Sequence, residues 1–193
     1  AGIVGEIFVR CNSFSNGSII DVIEECGGEA WLAPVSEWIL YTSYLHNDQA
    51  IKTKNLNEIF TAFFKNRFIM KEEHKAYEVV KPMLYNRVEP SIKEVVEEGA
   101  KYLSQDFTAE AILSVGRAVI FARQGASIIA NVSPFTCMPG TISAAIFQNI
   151  QKEYGIPIVN LFYDGEYGEN ERLRTFMSNL KNKSSFQINS VAG

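Results

Sequence analysis

Four short runs of apolar residues have the length and composition of buried β-strands. Isoleucine, valine and aromatic residues dominate these runs, and residues typical of turns bound them. Each run is followed by apolar positions at helical spacing, as Ile19, Val22 and Ile23 show after the first run. The predicted strands are 3–9, 29–33, 127–132 and 157–162. Such alternation of strand and helix predicts a mostly parallel sheet with helices on both faces.

The long stretch between the second and third strands shows helical periodicity only. One apolar stripe includes Ile59, Phe60 and Phe63, and another includes Val115 and Val119. The stretch is much longer than the crossover that an α/β unit needs, so it predicts an inserted subdomain. The predicted organisation is an α/β core at 1–35 and 125–181, an inserted helical subdomain at 36–124 and a tail at 182–193.

We therefore predict an α/β fold with an open, mostly parallel sheet of about four strands and a helical insertion, of the flavodoxin-like or Rossmann-like kind. If the strand order is 2-1-3-4, that order reverses between the first and third strands. Ligands of open α/β sheets bind at such a reversal, outside the carboxyl ends of the strands. The sequence thus predicts a crevice at the ends of the first and third strands.

Composition narrows the classes of function. Apolar residues make up 47% of the chain, and the net charge of −4 comes without the basic stripe that nucleic-acid binding needs. No apolar run approaches the roughly 18 residues of a membrane span. Three widely spaced cysteines suit a reducing compartment, so we expect a cytoplasmic protein that contacts neither membrane nor nucleic acid. The chain opens directly on a strand-like run without a signal sequence, and we expect it to be part of a longer protein.

Cys137 is the residue on which a site is most readily predicted. It lies in the loop 134–140 after the third strand, shortly before a helix predicted to begin near Gly140. The positive field at a helix N-terminus favours the thiolate, which is the form that binds metal. The alternative is a buried cysteine that acts as a small apolar side chain.

Arg10 and Asn12 follow the first strand and are expected to shape the same crevice. The planar guanidinium of Arg10 suits a carboxylate or phosphate, although an ion pair with Glu6 or Glu37 is an equal alternative. Hydrolase, dinucleotide-binding and P-loop motifs do not occur in the sequence, and no catalytic residue is predicted.

Four segments together resemble the C-terminal region of the CoA-substrate-specific enzyme activase family, which is related to 2-hydroxyacyl-CoA dehydratases and double-cubane iron–sulfur proteins. The segments are 5–10 (GEIFVR), 27–41 (GGEAWLAPVSEWILY), 134–142 (PFTCMPGTI) and 162–177 (FYDGEYGENERLRTFM). The resemblance follows the same order over nearly the whole chain. It implies low-potential electron transfer in anaerobic metabolism, with Cys137 at the position of an iron–sulfur ligand.

The resemblance implies that this chain is one domain of a dehydratase-like or activase-like protein. The other cysteines match no ligand motif, so the remaining ligands and any ATPase portion are expected in the remaining domains of the parent chain. The iron–sulfur cluster is accordingly expected in the full-length protein, and the fragment alone is expected to be inactive and without a cofactor. The alternatives are a non-catalytic scaffold and a domain that binds a small anion such as an acyl-CoA.

Overall fold

The computed structural model describes residues 1–54, 56–83, 89–104, 110–166 and 168–191. No helix among these residues is long and apolar enough to cross a membrane. The elements in chain order are β1 (Gly2–Gly5), α1 (Ile7–Cys11), α2 (Ile19–Glu25), β2 (Trp31–Leu32), α3 (Ser36–Lys52), α4 (Leu56–Val80), a 3₁₀ helix (Lys81–Met83), α5 (Ile92–Gly99), α6 (Ala111–Arg123), β3 (Ile129–Pro134), α7 (Met138–Tyr154), β4 (Ile158–Tyr163) and α8 (Glu169–Val191).

The four strands form one parallel sheet in the order β2-β1-β3-β4. The predicted open, parallel α/β fold is confirmed, and the order is the one on which the predicted crevice depended. In the register of the central pair, Gly5 lies opposite Val132, so β1 and β3 end side by side.

The first strand is shorter than the predicted 3–9, and that prediction was wrong over its second half. Gly5 has a φ of 115°, and a β-carbon there would overlap the carbonyl oxygen of Val132. Glu6 then caps α1, because its carboxylate accepts hydrogen bonds from the N–H groups of Phe8 (3.0 Å) and Val9 (2.8 Å). The β-branched run after Gly5 resembles a strand in sequence, but the glycine and the capping carboxylate turn it into a helix. Arg10 consequently lies on that helix.

Two apolar clusters cover the two faces of the sheet. Alternation along β3 divides its side chains, since Ala130 and Val132 join one cluster and Ile129 joins the other. The first cluster includes residues of α2 and α8, and the second includes residues of α6 and α7. Helices on both faces are the arrangement that a parallel sheet requires.

The chain divides into two compact units, which are 1–33 with 96–193, and 34–95. Helix α6, whose apolar stripe was grouped with the insertion in the sequence, belongs to the first unit. Its side chains Val115 and Val119 are buried in the same cluster as Ile129. Helix α8 continues to Val191, through the segment predicted as a tail.

The unit formed by 34–95 contains α3, α4 and the 3₁₀ helix, and α3 packs against α4. Tyr41 is buried on α3 beside the ring of Trp38, and burial together with the nearby Tyr44 raises the pKa of its phenol. On α4, by contrast, the rings of Phe60 and Phe64 are exposed. Part of the apolar stripe on α4 is therefore open at the surface.

Candidate functional site

The carboxyl ends of β1 and β3 form the point where the strand order reverses. From β1 the chain passes to β2 on one side, and β3 leads to β4 on the other. Backbone bonds hold the loops at this edge, since the N–H of Glu6 donates to the carbonyl of Val132 (2.8 Å) and the N–H of Phe135 donates to that of Tyr163 (2.8 Å). The edge is thus a rigid frame for the side chains that follow each strand.

Cys137 is the N-cap residue of α7, the helix that follows β3. Its N–H donates to the carbonyl of Pro134 (3.1 Å), and its own carbonyl accepts from both the N–H and the hydroxyl of Thr141 (2.9 Å each). The side chain is half-buried and makes no capping hydrogen bond within the described residues. The structure therefore fixes the backbone of Cys137 at the positive end of a 17-residue helix, and its sulfur takes no part in capping that helix.

Ser133 and Gly140 support the Cys137 loop, and the sequence analysis named Gly140 only as a helix start and did not predict its contact with Ser133. A β-carbon on Gly140 would overlap the hydroxyl of Ser133 and would lie 3.5 Å from the β-carbon of Cys137. Only glycine therefore allows the first turn of α7 to rest on the end of β3. Ser133 is fully buried, and its hydroxyl has no hydrogen-bond partner in the part of the chain that is described. A glycine shortly after a strand-end serine is the signal that sequence analysis overlooked.

Arg10 is buried, with only 3% of its side chain exposed. Its Nη1 donates to the carbonyl of Gly5 (2.7 Å), so the guanidinium reaches back to the carboxyl end of β1. The sequence predicted Arg10 at this edge, and the structure has it there. The side chain is buried within the fold, however, and does not line an open crevice. Part of its donor capacity already stabilises the backbone at the end of β1.

Glu110 is a further titratable group near Arg10 that the sequence did not reveal. It immediately precedes α6 and is half-buried. Burial raises the pKa of its carboxyl, the neighbouring carboxylate of Glu6 raises it further, and Arg10 lowers it. Glu6, Arg10 and Glu110 thus form a charged cluster at the sheet edge.

Asn12 ends α1, and its side-chain oxygen accepts a hydrogen bond from the N–H of Ser15 (3.0 Å). The neighbouring Asn16, which was not predicted as a site residue, is buried and makes more hydrogen bonds than Asn12. Its amide donates to the carbonyls of Val9 (2.8 Å) and Arg10 (3.2 Å). Asn12 therefore shapes a turn, and Asn16 anchors that turn to α1.

Asn170, in the first turn of α8, ties the turn after α1 to the end of β4. Its amide donates to the carbonyls of Asn16 (2.9 Å) and Gly17 (2.7 Å), and its oxygen accepts from the hydroxyl of Tyr163 (2.7 Å). Burial and the nearby Glu169 raise the pKa of Tyr163, so its hydroxyl remains a donor. The turn after α1, the start of α8 and the end of β4 are thereby joined at one edge.

The three cysteines do not come together. Cys11 is exposed at the end of α1, and the partly buried Cys26 packs against the apolar cluster at the C-terminus of α2. No group of three histidine, cysteine, aspartate or glutamate side chains among the described residues is arranged to hold a metal ion. A cubane cluster needs about four ligands, usually thiolates. The described side chains therefore do not form a complete cluster site, and Cys137 fits only as a single ligand.

A cleft of about 580 Å³ lies at the opposite, amino edge of the sheet. Cys26, Trp31 and Met177 contribute to its lining. Because parallel-sheet ligands bind at carboxyl ends, this cleft does not coincide with the predicted site.

No protein-family model, no curated protein and no solved structure matches this chain.

Proposed function

We propose that this chain is a domain of a CoA-substrate-specific enzyme activase-like or 2-hydroxyacyl-CoA dehydratase-like protein, in which Cys137 supplies one ligand of an iron–sulfur cluster. The observation that carries the proposal is the position of Cys137 at the N-cap of α7, on the reversal of strand order. The cluster would serve low-potential electron transfer in anaerobic metabolism. Three cysteines without a disulfide suit a cytoplasmic location for such a protein.

Two features of the loop support a ligand role for Cys137. Cys137 lies at the N-cap of α7, where helix N–H groups are left without intrahelical partners, and a thiolate is the form in which cysteine binds iron. The two hydrogen bonds from Thr141 and the one to Pro134 hold the backbone in place, so little conformational entropy is lost on binding. Gly140 allows this turn to lie against β3.

The described residues of this chain do not bring a full set of ligands together around Cys137. Cys26 lies at the C-terminus of α2 and lines the cleft at the amino edge, far from the Cys137 loop in the topology of the sheet. We therefore propose that the remaining domains of the parent protein complete the cluster. Residues of this chain would position Cys137 and enclose one side of the site.

The ligand role is tested by iron content in the full-length protein under strict anaerobiosis. We expect Cys137→Ala to lower bound iron and the charge-transfer absorbance of the cluster, while the fold remains intact because one small loop side chain leaves little cavity. Cys11→Ala is the matched control, since Cys11 is exposed at the same edge. Equal iron in wild type and Cys137→Ala would remove Cys137 from the ligands.

The alternative is a non-catalytic scaffold or a domain that binds a small anion such as an acyl-CoA. The first turn of α7 favours the anion, because helix N-termini attract negative groups. The burial of Arg10 argues against its direct contact with such a ligand. Calorimetric titration of the full-length protein with CoA distinguishes these alternatives, since a scaffold gives no heat of binding and an anion site does.

A further inference from the structure

Four large apolar side chains at the carboxyl edge of the sheet are exposed. Phe8 lies on α1, Phe14 in the turn after it, Phe135 in the loop after β3 and Met138 at the start of α7. Their exposed fractions are 62%, 93%, 65% and 64%. We call these four residues the apolar rim. Single exposed apolar residues are ordinary, but several on adjoining segments mark a contact surface.

The fold brings the segments of the apolar rim to one edge. Because Gly5 and Val132 are partners in the register, the residues that follow β1 and those that follow β3 leave the sheet side by side. Cys137 lies between Phe135 and Met138 in the chain. A surface that covered the rim would therefore also cover the cysteine.

The charges beside the rim are mainly acidic. The loop after β4 carries the exposed side chains Asp164 and Glu166, and Glu6 lies on the segment after β1. The basic residue on these segments, Arg10, is buried. The edge therefore combines apolar side chains with negative charge at its border.

We propose that the apolar rim docks against another protein domain of the same assembly, one with an apolar centre and a basic border. The choice of a domain that carries the remaining cluster ligands rests on the proposed function. Aromatic residues and methionine are enriched at the centres of protein interfaces, and complementary charge at the border directs such docking. The docked domain encloses Cys137 and excludes water from its sulfur.

The charge at this edge disfavours other occupants. A second copy of the chain would bring two acidic borders together, which like-charge repulsion opposes. Anionic membranes and nucleic acids would be repelled for the same reason. A protein surface with an apolar centre and a basic border is the partner that complements both the apolar rim and its acidic border.

Hydroxyl-radical footprinting of the native assembly, purified anaerobically, tests the proposal. The oxidation rate of each rim residue is divided by its rate in the same protein unfolded in urea. An open rim gives ratios that follow the exposed fractions, from 62% for Phe8 to 93% for Phe14. The proposal requires ratios several-fold lower at all four residues, and ratios that follow those fractions overturn it.

Charge reversal tests the basic border. Glu166→Lys in the full-length protein is expected to raise oxidation of Phe135 and Met138, because the lysine repels the docked surface. Glu24→Lys is the matched control, since Glu24 is an exposed acidic residue near the C-terminal end of α2 and away from the rim. Equal effects of the two substitutions would contradict the proposed border.

Iron is measured on the same samples so that the two proposals fail separately. A protected rim with unchanged iron in Cys137→Ala supports the docking surface and removes the ligand role. An open rim in the wild-type assembly overturns the docking surface, whatever its iron content.

Discussion

The two edges of the parallel sheet each present a cysteine at a helix end, but the helix ends have opposite polarity. Cys137 caps the N-terminus of α7 at the carboxyl edge, and Cys26 caps the C-terminus of α2 at the amino edge. The first position lies beside backbone N–H groups and the second beside backbone carbonyls that lack intrahelical partners. Their different places in the fold, rather than any difference in their side chains, separate a candidate ligand from a core residue.

The edges also differ in how their polar groups are held. At the carboxyl edge, Asn16 and Asn170 bind backbone carbonyls through directional hydrogen bonds. At the amino edge, Glu98 forms ion pairs with Lys101 and Arg123, both at 2.7 Å. Directional hydrogen bonds to backbone carbonyls fix loop geometry, whereas the buried carboxylate of Glu98 pairs with the exposed side chains of Lys101 and Arg123, which can adjust. The carboxyl edge should therefore be the less tolerant of substitution.

The largest difference is expected between two glycines. Gly5→Ala should destabilise the protein by about 3 kcal/mol, because the new methyl group overlaps the backbone of Val132. Gly155→Ala at the amino edge should cost about 1 kcal/mol, because φ is 66° but nothing lies within 4 Å of a β-carbon there. Urea denaturation of both variants measures the difference, and equal losses would contradict the comparison.

Asn16→Ala is expected to cost about 2 kcal/mol, since in a buried site the carbonyl of Arg10 loses the Asn16 amide and that of Val9 keeps only the longer bond from the N–H of Asn12 (3.3 Å). The half-buried Asn12, whose oxygen accepts one hydrogen bond from Ser15, provides the control, and Asn12→Ala should cost about 0.5–1 kcal/mol. Thermal unfolding followed by circular dichroism compares the two. A smaller loss in Asn16→Ala than in Asn12→Ala would show that the turn is not anchored as described.

The smallest effects on stability are expected from two glutamates whose pKa values shift in opposite directions. Burial raises the pKa of Glu98, but its bonds to Lys101 and Arg123 outweigh burial and lower the pKa overall. Its stabilisation is therefore complete above about pH 4.3, the unfolded value, and is lost as pH falls through the folded pKa. Glu98→Gln should destabilise the protein at pH 7 by about 1 kcal/mol or less.

Glu110→Gln should instead stabilise the protein at pH 7. Burial and Glu6 raise the folded pKa of Glu110, so its ionised form costs stability above that pKa and the cost disappears as pH falls toward about 4.3. The urea midpoints of both glutamine variants, measured between pH 4 and 8, test whether Glu98→Gln destabilises the protein and Glu110→Gln stabilises it. Destabilisation by Glu110→Gln at pH 7 would contradict the raised pKa of this carboxyl group.

Most of the fold could be predicted because strand and helix periodicities differ. The four apolar runs gave the strands, and their alternation with helices indicated the parallel sheet. The end of β1 could not be predicted in this way, since Ile7, Phe8 and Val9 suit a strand by composition. The positive φ of Gly5 and the cap from Glu6 decide that boundary, and both depend on contacts with β3 or on local geometry.

The candidate site was only partly predictable. The position of Cys137 between a strand and a helix is a local feature of sequence, and the structure has it at the N-cap of α7. Glu110 and Ser133 were missed because their properties depend on burial. Burial raises the pKa of Glu110 and encloses the hydroxyl of Ser133, and it depends on residues distant in the chain. Arg10 was correctly expected at the carboxyl edge. Its bond to Gly5 could not be predicted, because it depends on α1, where the sequence predicted a strand.

Electron paramagnetic resonance of the reduced full-length protein tests the central comparison most directly. Cys137→Ser would replace the proposed sulfur ligand by oxygen and should change the spectrum of the proposed cluster, whereas Cys26→Ser at the opposite edge should leave it unchanged. An unchanged spectrum in Cys137→Ser, with wild-type iron, would contradict the assignment of the ligand to the carboxyl edge.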